Sequence, residues 1–417
     1  MKEKIKIGYV GLGRRGMDVL RLCFSEMSDV QIKTLCDWDP DRLEKALELF
    51  SEKGKPAPAT TTKFDDILKD EQIDAVVIMT SWNTHVSLAK ASLLAGKYTA
   101  VEVGCAYSLQ ECYDLLDAYE TTKAPLMMLE NCCYGRDEMM TLNLVKQGLF
   151  GEIVHCKGGY CHFLPDMELF KDGECNHYRI QEYIHRNCEQ YPTHELGPIA
   201  KVLGINRGNR MMKLVSVASK SRGLKEYAAQ HLPADSEYNH VEYLQGDIVN
   251  TCITCANGET ILLTLDTTLP RAYYSRDFTV RGTKGMYTEE RFTVYFAGEE
   301  EDHTNNREES YEKYDHPLHA EYAKNEVKGG HGGMDWLVCR AFVESVKNGT
   351  NTPIDAYDTI SWMAIAPLSE MSIQKGGMPV DIPDFTCGKW IRREPVVQSK
   401  YCLDQIITDP DTPIFPE

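Results

Sequence analysis

The residues with the plainest chemical meaning lie near the N-terminus, where Gly11, Gly13 and Gly16 form G-x-G-x-x-G in "GLGRRG" directly after an apolar run over residues 5 to 10. A strand, a glycine turn and a helix in that order let backbone approach a pyrophosphate and aim free helix N–H groups at it. Asp37 closes the next apolar run, "TLCD", at the distance where a carboxylate binds an adenosine ribose and favours NAD over NADP. Asp37 also reads as a loop or helix-capping carboxylate in "CDWDPDR", and Arg14 and Arg15 would instead suit a 2′-phosphate. Ser81, Asn83 and His85 in "TSWNTH" and Glu102 in "EVG" fall at strand ends, where such sheets bind ligands, and are candidates for the nicotinamide half.

A second set of polar residues lies further on. Glu130 and Asn131 end the apolar run "LMMLEN" and so reach the same edge as the glycine loop, or else cap the next helix. Tyr160 follows Gly158 and Gly159 on a strand, as a ligand-facing phenol or a core aromatic. In "YPTH" at 191 to 194, Pro192 fixes the entry, Thr193 can cap, and His194 falls in the first turn of a helix. The positive helix end there favours the neutral imidazole that a general base needs. Tyr191, Arg179 and Tyr160 keep it company; a structural histidine is the alternative. "GGHGGMD" brackets His331 with glycines whose ordering implies a purpose, or forms a plain linker. Cys252 and Cys255, three apart on a strand, point to opposite faces, so no metal site is expected from them or from any other spacing.

The elements that must hold these groups change character along the chain. "VQIKTLCD", "DAVVIMT", "KYTAVEV" and "PLMMLEN" read as buried strands between helices, which predicts a doubly wound parallel sheet, an α/β Rossmann domain over residues 1–135. A helix near 136 to 147 then leads into alternating strands such as "EIVHCKGGYCHF" and "GDIVNTCITCANGETILLTLD", whose Asn257-Gly258 pair signals a hairpin. Residues 136–417 are therefore expected to form an α+β substrate-binding domain with a large, mostly antiparallel sheet. The stretch 164 to 192 reads as irregular, and "AGEEEDHTNNREESYEKYDHP" as a solvated acidic excursion. Helical patterns return at 334 to 347 and at 357 to 374, the latter interrupted by Pro367.

With 45 basic against 63 acidic residues, a net charge of −18 and no Lys/Arg run, the 417-residue chain is a poor match for nucleic acid or anionic membrane. Its 15 scattered cysteines suit free thiols in a reducing compartment. No window is apolar enough to span a bilayer, and "MKEKIKIGYVGLG" passes straight into a strand pattern with no room for an apolar leader segment, so none is expected. The expectation is a cytoplasmic protein, periplasmic or exported only if a leader once preceded this sequence.

The fingerprint, the "TSWNTH" and "EVG" loops and the antiparallel second domain resemble the glucose-fructose oxidoreductase and inositol dehydrogenase superfamily. Within it, "MMLENCCYGRDEMM", "LVKQGLFGEIVH", "GGYCHF", "YPTHELGPIAKVLGINRGNR", "SKSRGL", "QGDIV", "GGHGGMD" and "IPDFTCGKW" resemble glycoside hydrolase family 109, the NAD-dependent alpha-N-acetylgalactosaminidases, over nearly the whole chain. The superfamily's sugar dehydrogenases carry a lysine in an E-K-P motif, whereas Glu102, Val103 and Gly104 stand here. The resemblance implies that Glu130, Tyr160, Arg179, Tyr191, His194 and Tyr273 take over as active-site residues.

It also implies the reaction, an exception to the usual pair of flanking carboxylates. Hydride passes from sugar C3 to NAD, the ketone acidifies C2, a base removes that proton, the aglycone leaves C1, water adds and hydride returns. His194 is expected to deprotonate the C3 hydroxyl and Tyr160 to act at C2, with Arg179, Tyr191, Tyr273 and Glu130 orienting hydroxyls and polarising the ketone. The implied partners are a small-molecule glycoside and further copies of the chain, since the open sheet of this superfamily is a usual oligomer interface. Two departures lie near the sugar: Phe163-Leu164-Pro165 replaces a polar run, and Ala272 replaces a proline. The competing readings are an NAD-dependent sugar dehydrogenase that releases a keto-sugar, and a non-enzymatic dinucleotide sensor.

Overall fold

The computed structural model describes residues 4–170, 178–300, 305–325, 327–396, 399–408 and 412–416. The first sheet comprises β1 (Ile5–Val10), β2 (Val30–Cys36), β3 (Ala59–Thr61), β4 (Ala75–Ile78), β5 (Tyr98–Val101) and β6 (Leu126–Met128). All pair in parallel, in the order β3-β2-β1-β4-β5-β6. Helices cover both faces, so the central strands are buried throughout, as in the unbroken AVVI of β4. Strand order reverses between β1 and β4, and the crevice beyond their carboxyl ends is where this architecture takes a ligand. Five of the six strands lie within the apolar runs picked out in the sequence; β3 does not, because it is short and exposed.

The second sheet comprises β7 (Ile153–Cys161), β8 (Met211–Ala218), β9 (Ile248–Cys255), β10 (Thr260–Asp266), β11 (Thr279–Gly282), β12 (Gly285–Thr288), β13 (Thr293–Phe296) and β14 (Val380–Asp381). Its order is β13-β12-β11-β7-β10-β9-β8-β14, antiparallel except where β7 runs parallel to β10. Gly258, at φ 101°, closes the β9–β10 hairpin at the expected Asn-Gly pair. Burial alternates along β9 and β10, so one face packs helices while Val154, Val217 and Cys252 stand exposed. Cys255 is buried, on the opposite face from Cys252.

Helices place the two sheets around one crevice. Thr193–Val202 packs on β7, Met334–Asn348 packs against Asn131–Tyr134, and Ala356–Met363 packs against Leu109–Thr122 and β6. The expected 357 to 374 helix breaks at Ala364 instead of at Pro367. Pro367 crowds the carbonyl four residues back, and that carbonyl, Met363 O, accepts the Ala106 N–H instead at 3.3 Å.

Two expectations are corrected. The stretch 164 to 192 contains the helix Arg179–His185, while residues 171–177 lie outside the described residues. The acidic excursion, of which 301–304 lie outside the described residues, forms the helix Arg307–Tyr314. Tyr311 and Arg307 bind the buried Asp137, at 2.6 Å and 2.7 Å, so a polar sequence is drawn inward by an ion pair. Among the described residues no helix is long and apolar enough to cross a membrane.

Candidate active site

The cofactor crevice is built from backbone. Gly11 sits at φ 94° and donates its N–H to Cys36 O at 2.8 Å, and a Cβ on it would lie 2.7 Å from the Met79 backbone. A Cβ on Gly16 would overlap the Gly11 carbonyl, whereas a Cβ on Gly13 would meet nothing within 4 Å. The turn is thus closed on the protein side and open over Gly13, where the helix Arg14–Val19 begins. Asp37 is buried beside it: Oδ2 accepts the Leu12 N–H at 2.6 Å and Oδ1 the Asp39 N–H at 3.0 Å. Asp39, not Asp37, caps the next helix. An open glycine turn with a carboxylate at its edge fits a dinucleotide.

Arg14 is exposed. Arg15 turns inward and grips Asp335 with both terminal nitrogens, at 2.7 Å and 2.8 Å, while its Nε lies 3.3 Å from Glu102 Oε1. Engaged by two carboxylates, Arg15 is not placed to receive a 2′-phosphate. Asp335, overlooked in the sequence, is the hub of this edge: it also accepts from Asn131 Nδ2 at 2.8 Å and pairs with His331 Nδ1 at 2.9 Å. Burial opposes its charge, but the hydrogen bonds from Arg15 and His331 hold its carboxyl well below the usual carboxylate range. The "GGHGG" segment therefore folds over Asp335, with His331 itself at φ 51° and its side chain 58% exposed. The available signal was a carboxylate in the first helical turn after a glycine-rich loop.

Burial pushes the Glu102 carboxyl up despite Arg15, and its Oε2 has no hydrogen-bond partner. Ser81 precedes the helix Trp82–Leu94 at the end of β4 and donates Oγ to Asn83 Oδ1 at 2.6 Å. His85 departs from the expectation for the nicotinamide half. It is fully buried, donates Nε2–H to Thr80 O at 2.9 Å, and burial lowers its pKa to about 4. A Cβ on Gly104 would lie 3.0 Å from its Nδ1, so His85 is a neutral strut under the "EVG" loop.

The sugar-side residues come together from distant parts of the chain. Glu130 follows β6, is fully buried, and its Oε1 accepts from Cys132 N at 3.0 Å and lies 2.7 Å from His194 Nδ1. Burial alone would raise this carboxyl; the facing imidazole outweighs it, and the net shift is downward. His194 is the second residue of Thr193–Val202, whose N-cap is Pro192 and not Thr193. With Nδ1 held on Glu130, Nε2 is the ring nitrogen left to face a substrate hydroxyl. Cys132 brings a third donor atom into the same group, all within 4.8 Å of one another, but the carboxylate and imidazole already bind each other.

Tyr160 on β7 packs against Tyr191, the rings tilted by 36° with centroids 4.4 Å apart, and His194 lies 5.6 Å from the first ring and 4.8 Å from the second. The Arg179 guanidinium lies 4.8 Å from the Trp82 ring and 5.0 Å from Tyr191. Glu130, Tyr160, Arg179, Tyr191 and His194 thus form one cluster, with Trp82 as an aromatic wall that the sequence reading passed over. Tyr273 does not join it: the residue is 68% exposed. Tyr274 stands there instead, 6.4 Å from Tyr160 and 5.1 Å from His162. Ser275 bridges antiparallel to Cys161, and this places the ring of the preceding Tyr274 beside His162 although the residue stays 44% exposed.

Comparison with known proteins accords with this geometry. Residues 5–130 match the oxidoreductase family with an NAD-binding Rossmann fold, and residues 134–392 match the glycosyl hydrolase 109 C-terminal domain. A glycosyl hydrolase family 109 protein of Stenotrophomonas maltophilia (strain K279a) is 39% identical over 94% of this chain and 92% of its own length. The alpha-N-acetylgalactosaminidase of Tannerella forsythia is 38% identical over 94% of this chain and 88% of its own. Among solved structures, levoglucosan dehydrogenase with NADH and levoglucosan has a TM-score of 0.69 at 18% identity, covering 91% of this chain and all (100%) of that one. The WlbA dehydrogenase of Bordetella pertussis, with NADH and UDP-GlcNAcA, has 0.66 at 14%, covering 92% and 99%. These last two share the fold. The chain belongs to the glycosyl hydrolase 109 family and is an NAD-dependent glycoside hydrolase.

Proposed function

We propose that the protein hydrolyses terminal alpha-N-acetylgalactosaminides or a closely related glycoside by transient oxidation at C3 and elimination across C1 and C2. The observation that supports this most is the Glu130–His194 pair set against the tilted, touching rings of Tyr160 and Tyr191, at the edge that also holds Asn131. NAD, when bound over Gly13 and beside Asp37, supplies the acceptor and donor of one hydride. His194 Nε2 takes the proton of the C3 hydroxyl, its Nδ1 side held by Glu130. Tyr160 moves the proton at C2, Arg179 and Tyr191 orient the sugar, and Val103 stands where a dehydrogenase of this superfamily has its lysine. The substrate class follows the named activity of the Tannerella forsythia relative.

Residues 1–135 serve as the cofactor half in this reading and 136–417 as the sugar-binding half. The outer face of the second sheet, with Val154, Val217 and Cys252, joins copies into a homo-oligomer, which light scattering on a V154E/V217K variant tests through loss of mass. The cysteines, all free among the described residues, suit the cytoplasm.

The test incubates the purified protein, without added cofactor, with aryl glycosides of N-acetylgalactosamine, N-acetylglucosamine, galactose and glucose in heavy water. Free sugar carrying one deuterium at C2, with no net NADH, is expected from the N-acetylgalactosaminide. Net NADH with accumulating keto-glycoside would make the protein a sugar dehydrogenase instead.

A further inference from the structure

Tyr160 has a partner that the reaction as stated does not use. On β7 and the residue after it, side chains two apart share a face, and the Oη of Tyr160 lies 3.2 Å from Nδ1 of His162. The two rings stand perpendicular, at 90° with centroids 5.7 Å apart. The opposite wall is Tyr274, 5.1 Å from the imidazole. Its place is fixed by backbone, since Cys161 and Ser275 exchange N–H···O bonds of 3.1 Å in both directions and Gly159 N–H donates to Arg276 O at 2.5 Å. The His162 N–H donates to Asp266 O at 2.9 Å, which ties the imidazole's own backbone to β10. Tyr160 is thus held between the Tyr191 ring and a histidine nitrogen, on a strand that cannot shift without breaking sheet bonds.

A neutral phenol is a poor base, because accepting a proton from carbon requires losing its own. We infer that His162 is the proton acceptor for Tyr160, so that the two act as a relay at C2; this rests on the oxidation and elimination reading above. In the step, the C2–H bond of the 3-keto glycoside breaks and its electron pair moves into the ketone as an enolate. The C2 proton forms a bond to Tyr160 Oη while the phenol's proton passes to His162 Nδ1, leaving an imidazolium and a neutral tyrosine. The reverse transfer returns a proton to C2 once water has added at C1, and His162 ends the cycle neutral. His162 does not touch C2, and is a positioning and proton-holding residue acting through Tyr160. His194, bound to Glu130, is left to the C3 hydroxyl, so each carbon has its own imidazole.

The experiment compares wild type with His162→Asn and His162→Ala on an aryl alpha-N-acetylgalactosaminide, protiated or deuterated at C2. Asparagine keeps a hydrogen-bond acceptor beside Tyr160 Oη but cannot hold a proton. Stopped-flow absorbance of NADH reads the oxidation, and the C2 isotope effect on kcat with solvent deuterium wash-in reads the proton step. The relay requires both variants to lose about 10²-fold in the C2 step, the scale of a general base. It also requires a larger C2 isotope effect, early NADH formation as fast as in wild type, and NAD retained on purification. A C2 step as fast in His162→Asn as in wild type would overturn the relay and leave only a hydrogen-bonding role. Equal slowing of NADH formation and C2 exchange would overturn it as a general loss of structure. A wild-type enzyme that cleaves the glycoside with no C2 wash-in would instead refute the underlying reaction.

Discussion

Glu189 and Glu195 flank the "YPTH" segment and are both buried, and neither carboxyl has a hydrogen-bond partner on either oxygen. Two such carboxylates cannot both ionise out of water. Burial raises Glu189 to about 8, and burial followed by the charge of Glu189 raises Glu195 well above the usual value. The sign follows from linkage: between the unfolded value, 4.5, and about 8, the folded protein holds a proton that the unfolded chain has released. This contribution to stability is therefore full at low pH and is lost as pH rises through that window. Charging a carboxyl at such a site costs on the order of a few kcal/mol, and a proton shared with Glu195 reduces what either residue alone contributes. Glu189→Gln removes the ionisation while keeping the volume. By differential scanning calorimetry we expect the variant's Tm to exceed that of wild type by several degrees at pH 9, with roughly 1–2 °C per kcal/mol for a chain of this length. At pH 5 the two are expected to coincide or the variant to be slightly lower. A Tm difference that is the same at pH 5 and pH 9 would refute the claim that a buried, protonated carboxyl underlies the site.

Three further perturbations separate the cofactor edge from the sugar edge. Asp335→Asn releases Arg15, Asn131 and His331 together and is expected to weaken NAD binding about 10-fold or more, the worth of a lost charged hydrogen bond, measured by fluorescence titration. Glu130→Gln leaves His194 without its carboxylate; kcat should fall about 10²-fold while retained NAD is unchanged, and a variant that loses NAD instead would place Glu130 at the cofactor. Tyr274→Ala should cost more than 10-fold in kcat/KM, whereas Tyr273→Ala should stay within about 2-fold, because only the former packs on the Tyr160 cluster.

What the sequence by itself determined are the features written in local periodicity and turn chemistry. The glycine fingerprint, the Asp37 that follows β2, the parallel strands and the Asn257-Gly258 hairpin each depend on neighbours a few residues away, so their physical causes are present in a short window. The residue types of the sugar cluster were legible in the same way, Glu130 at a strand end and His194 in a first helical turn, through motifs that resemble a family. Tertiary structure decided the pairings. Glu130 and His194 are 64 positions apart and Arg15 and Asp335 are 320 apart, and nothing in either window encodes that its charge is answered at such a distance. It also decided between adjacent tyrosines, since the bridge between Ser275 and Cys161 sets the Tyr274 ring beside Tyr160 and His162 and leaves Tyr273 clear of them. The same holds for His85, whose polar neighbours suggested a ligand while complete burial made it a neutral brace. Local sequence sets which groups are available and on which element; only the closing of two sheets around one crevice determines which of them meet, because burial and charge pairing are properties of the assembled interior.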